Sequence, residues 1–188
     1  MKRLFCVLLM VILVLPFANG QEVMQEKSTY LHAGKIGLGL DGITGSTNLL
    51  MKYFVNNQFA LQFIVGMDLD QPGGDAPTGS TKETGITVRG GLSLLYHLTQ
   101  NQVSPYVGVE GIFQSDKPGG FFTVVPDPIN TVFVSGVLGG EYFINERFTV
   151  GIKQNLGVTI QLKRDIPQMD SNLKFNTSTL MTGRFYFN

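Results

Sequence analysis

Chemistry in this chain would have to be built from two histidines, His32 and His97, one cysteine, Cys6, and 14 basic and 14 acidic side chains in 188 residues. A general base must reach its proton in an open site. His97 stands beside the short segment Thr99 to Val103, and His32 precedes the first extended run, so neither is a persuasive base. Asp68, Asp70 and Asp75 are close together but lack the spacing of a calcium loop. Gly73-Gly74 and Gly119-Gly120 fall in loops rather than at strand-to-helix turns, which argues against a phosphate cradle. One cysteine cannot form an internal disulfide, and no Cys/His cluster is spaced for zinc. Equal numbers of basic and acidic groups argue against nucleic acid as a partner. The expectation is a protein without catalytic residues, cofactor or metal.

Six charges are spaced in another way. Lys52, Arg89, Glu110, Glu141, Lys153 and Arg184 each fall on the small or polar face of a segment that alternates with period two. Such alternation marks strands with two unlike faces. From Phe59 to Leu69, Phe59, Leu61, Phe63, Val65, Met67 and Leu69 oppose Ala60, Gln62, Ile64, Gly66 and Asp68. No window after the N-terminal apolar run holds an uninterrupted helical stripe. Eight alternating runs are predicted, at 33–41, 46–55, 59–69, 84–98, 104–114, 130–143, 147–161 and 173–187. Gln154 breaks the apolar face of the seventh. Short links (56–58, 99–103 and 145–147) alternate with long ones (70–83, 115–129 and 162–172), which places tight turns at one end and long loops at the other. That is the signature of an up-and-down barrel in an outer membrane.

A barrel with these faces has two solutions. A soluble, lipocalin-like barrel would carry an apolar ligand inside, and a membrane barrel would turn the apolar face to lipid. The polar face decides between them. It has sparse charges and many glycines, whereas a soluble surface is dense in long charged side chains. The charges are therefore expected in the lumen as a structural network, with Glu141 diagonal to Lys153 and Arg89 near Glu110. An ion path or conduit for small hydrophobic solutes is the weaker reading, because eight strands enclose only enough room for side chains.

Tyr53, Tyr96 and Tyr142 lie near short turns with outward parity, and are expected to form an aromatic girdle at the periplasmic end. In the segment 115–129, Phe121, Phe122 and Val124 are apolar where water is expected, which makes them candidates for contact with an extracellular ligand or surface. At the N-terminus, Lys2 and Arg3 precede the apolar run Leu4 to Phe17 and the small residues Ala18-Asn19-Gly20, a secretory signal peptide over 1–20. That run is short for a transmembrane helix. Residues 21–188 are then a single exported domain, cysteine-free and mildly acidic.

On Tyr96-His97-Leu98, on Ser104-Pro105-Tyr106-Val107-Gly108-Val109-Glu110-Gly111, and on the closing Gly183-Arg184-Phe185-Tyr186-Phe187-Asn188, the chain resembles the small outer-membrane β-barrel family of the OmpA, OmpX and OmpW type. The resemblance spans the mature chain and is one of pattern. It implies an eight-stranded antiparallel transmembrane barrel, non-enzymatic, in the outer membrane of a Gram-negative-type bacterium. It also implies a monomer in contact with outer-membrane lipid and the barrel assembly machinery, with an envelope-structural or surface-interaction role in its loops. Family members usually end on an aromatic residue; here Phe187 is penultimate.

Overall fold

The computed structural model describes residues 32–43, 46–71, 73, 81–122, 127–162 and 173–187. The predicted signal peptide lies outside them. Among the described residues, ten strands follow in order: β1 (Ile36–Ile43), β2 (Ser46–Phe54), β3 (Phe59–Asp70), β4 (Thr81–Glu83), β5 (Gly85–His97), β6 (Val103–Lys117), β7 (Gly120–Phe122), β8 (Ile129–Phe143), β9 (Phe148–Gln161) and β10 (Leu173–Phe187). Eight close into an antiparallel barrel in the order β1-β10-β9-β8-β6-β5-β3-β2, and β4 pairs with β7 as a separate two-stranded ribbon. The fold is all-β and up-and-down, as the alternation and loop lengths predict.

Two tight hairpins share one device. Asn56 Oδ1 accepts from the backbone N–H of Gln58 (2.8 Å) and Phe59 (2.7 Å), and Asn145 Oδ1 accepts from Arg147 and Phe148 (both 2.8 Å). An asparagine side chain that bonds its own backbone two and three residues on stabilises a tight turn at little entropic cost. The first strand begins later than predicted, because residues 32–35 make a turn. Lys35 N–H donates to His32 O (2.9 Å), and Gly34 takes φ +79°, a left-handed conformation that glycine adopts without a Cβ clash.

Outward positions are apolar: Leu94 is 51% exposed, Val109 56% and Leu138 51%. Inward positions hold buried polar side chains and glycines. A Cβ at Gly139 would overlap the Tyr106 ring, and one at Gly37 would overlap the Tyr186 ring. The inner glycines therefore make room for the large side chains that fill the lumen. At outward Gly111, Gly140 and Gly183 a Cβ would meet nothing within 4 Å.

Candidate functional site

The lumen is where the charges converge. Glu141 on β8 is the hub nearer the short turns. Lys52 Nζ donates to Glu141 Oε1 at 2.8 Å, Arg184 pairs with the same oxygen, and the Tyr186 hydroxyl donates to Oε2 at 3.1 Å. Arg184 also donates to Gln62 Oε1 (2.7 Å).

Lys153 on β9 serves the second hub, where its Nζ reaches Glu110 Oε2 (2.9 Å) and Asp41 Oδ2 (3.1 Å). Glu110 is bonded further by Ser93 Oγ–H (2.7 Å) and Asn155 Nδ2–H (2.8 Å), and Asp41 by Asn48 Nδ2–H (2.8 Å). Three cations, Lys52, Lys153 and Arg184, thus meet three carboxylates, Asp41, Glu110 and Glu141, all buried. Buried charges persist only when paired and hydrogen-bonded, and here each one is.

Sequence register places these residues on the inner face but pairs them differently. Glu141 does not meet Lys153, and Arg89 does not meet Glu110. Arg89 instead pairs with Asp68 (2.6 Å) and donates to Gln114 Oε1 (2.9 Å), partly exposed toward the long-loop end. The reason is closure. Register relates only neighbouring strands, whereas Lys52 on β2 and Glu141 on β8 face each other across the lumen. Sequence reasoning passes over Asp41, although Gly37, Gly39 and Asp41 alternate with Ile36, Leu38 and Leu40 and the same parity turns it inward.

The short-turn end is closed by rings. His32 stacks between Phe54 and Phe143, with centroids 4.7 Å from each, and Tyr186 lies 5.9 Å from both phenyl rings. His97 has a definite role in the network. Ser104 Oγ–H donates to Thr99 O (2.8 Å), so Ser104 Oγ accepts from His97 Nδ1–H (2.7 Å), which leaves His97 Nε2 to accept from Lys52 Nζ (2.8 Å). His32 is fully buried with neither ring nitrogen hydrogen-bonded. Burial, then the charges of Lys52 and Lys35, hold its pKa at about 4, so it is neutral at pH 7.

The three girdle tyrosines share the outward parity expected of them. Tyr53 and Tyr142 are exposed on the outside, and Tyr96 lies against the Phe59 ring at 4.9 Å. Tyr106 and Tyr186 point inward. Within the segment 115–129, predicted as a loop, β6 runs on to Lys117, and Phe121 and Phe122 fall in β7, in register with Lys82 and Thr81. Val124 and Asp75 lie outside the described residues.

No protein-family model and no curated protein sequence matches the chain. Among solved structures, the outer membrane protein OprG from Pseudomonas aeruginosa matches with a TM-score of 0.53 at 14% identity, covering 83% of this chain and 97% of that one. The fold is that of a small outer-membrane β-barrel. The N-terminal β-barrel domain of Pseudomonas aeruginosa OprF is also similar, with a TM-score of 0.47 at 13% identity over 81% of this chain and 96% of that one. The outer-membrane barrel fold turns the polar face inward, the reverse of a lipocalin-like barrel, so the expectation of an apolar ligand inside is set aside.

Proposed function

We propose that the chain is an integral outer-membrane protein, non-enzymatic, with an envelope-structural or surface-interaction role. The observation that carries this reading is the inversion of its faces: an apolar exterior around a lumen of paired charges. Outward Leu, Val, Ile and Phe side chains suit hydrocarbon, and a closed barrel leaves no strand edge unpaired along its fully laddered height. The use of both histidines in the base of the lumen supports the non-enzymatic part. Outer-membrane lipid and the barrel assembly machinery are the partners this reading requires. The β4–β7 ribbon, with Phe121 and Phe122, is the candidate contact for an extracellular ligand or surface.

The test is fractionation of the full chain after expression, followed by gel migration with and without boiling. Heat-modifiable migration from the outer-membrane fraction is expected. A soluble periplasmic species without that shift overturns the reading. Deletion of residues 119–125 is expected to lower adhesion while leaving the heat shift intact.

A further inference from the structure

The wall of the barrel is not equally tall all round. β1 pairs with β10 only between Met181 and Phe187, whereas β9 pairs with β10 from Leu173 to Phe185. The β1–β2 hairpin already turns at Ile43 and Ser46, which face each other. Among the described residues, β10 therefore rises past the top of β1 with a neighbour on one side only.

One bond decides which backbone groups this leaves open. Tyr186 N–H donates to Arg147 O (2.6 Å), so the even-numbered positions of β10 bond toward β9. In an antiparallel ladder the N–H and C=O of one residue point to the same side, and the side alternates along the strand. The odd-numbered positions, whose side chains face outward, thus aim both groups toward β1. Above Met181 these are Thr179, Thr177, Phe175 and Leu173, which face no residue of β1. Phe175 is 85% exposed and Leu173 60%, so the outer face of this edge is largely uncovered. Thr179 and Phe175 stand about 20 Å and about 30 Å above Phe187, at a rise of about 3.3 Å per residue and a tilt of about 40°, against an apolar band about 25 Å tall. The open edge leaves the lipid near Thr177 and continues in water.

We propose that the upper edge of β10, Leu173 to Thr179, takes up an extended segment of an extracellular polypeptide as an added antiparallel strand. A row of unpaired N–H and C=O groups is a template for such pairing. Main-chain bonds to Thr179, Thr177 and Phe175 supply the affinity, and the flanking side chains supply the selectivity. The outward residues of the added strand lie beside Phe175 and Thr177, which suits β-branched side chains; the inward ones lie beside Asn176 and Lys174, and Lys174 favours an acidic one. A second copy fits poorly. Inserted the same way up, it offers its own β10 parallel, and the two-fold axis would have to follow a strand tilted about 40° from the membrane normal. The inference rests on the outer-membrane reading and gives its surface-interaction role a site distinct from the β4–β7 ribbon.

The test uses the full chain in lipid nanodiscs and a fluorescent nine-residue peptide of alternating valine and threonine, with one threonine replaced by glutamate. Saturable binding by fluorescence anisotropy is expected. N-methylation of the valines, which lie outward and so on the bonding edge, is expected to weaken binding at least tenfold; N-methylation of the threonines is expected to change it less than twofold. Thr177→Pro removes an edge N–H that β9 does not use, and is expected to lower binding at least tenfold while the heat shift persists. Binding that survives either valine N-methylation or Thr177→Pro overturns the inference, as does absence of binding to heat-shifting protein. A disulfide-linked dimer of Phe175→Cys in a Cys6→Ser background also overturns it, by assigning the edge to a second copy. Loss of the heat shift in the unsubstituted protein overturns the membrane reading instead.

Discussion

Lys52 Nζ lies 2.8 Å from Glu141 Oε1 with both side chains fully buried, although 89 positions separate them in the chain. The pair joins β2 to β8 across the lumen, and Glu141 simultaneously holds Arg184 and Tyr186. Removing the carboxylate would strand two buried cations.

Glu141→Gln is therefore expected to destabilise the barrel by about 3–5 kcal/mol, the range for breaking a buried pair by losing one partner. The urea midpoint of the heat-shifted band measures it. Glu141→Gln combined with Lys52→Met is expected to cost less than the sum of the two single changes, because the residues share one network.

Arg89→Met is expected to cost less than about 1 kcal/mol in the same assay. Arg89 and Asp68 are partly exposed, and solvent-screened pairs contribute little. A loss equal to that of Glu141→Gln would contradict the division between a buried lumen network and a solvated mouth.

Stability is expected to fall as pH drops from about 6.5 to about 4, with part of the slope due to His32. The unfolded imidazole takes up a proton near 6.5 and the folded one only near 4. The contribution of the neutral, buried ring is thus full above 6.5 and lost through that window, about 3 kcal/mol in all. His32→Phe is expected to flatten the slope, as read by urea midpoints at several pH values.

Gly108→Ala is expected to destabilise by about 1–3 kcal/mol, since the added Cβ would overlap Leu94 O, a backbone atom that cannot swing aside. Gly183→Ala, where nothing lies within 4 Å, is expected to be close to neutral. Thermal conversion of the folded band distinguishes the two.

Period-two alternation determined the eight barrel strands and their two unlike faces, because a strand turns successive side chains to opposite sides and a one-residue slip would exchange them; the sparse charges and many glycines of the polar face assigned that face to the lumen, and the lengths of the links separated the two ends. Lys52, Glu110, Glu141, Lys153 and Arg184 could be placed on the inner face for the same reason. Their partners could not. Pairing across the lumen depends on closure of the sheet between β1 and β10, on its shear and on the reach of long side chains, and none of these is local in sequence. The β4–β7 ribbon likewise joins two loops whose three-residue strands are too short to show a period. Tertiary structure alone decided that His32, ahead of the first strand, folds back between Phe54 and Phe143 to close the lumen, since only the closed barrel brings those two rings within stacking distance of one imidazole.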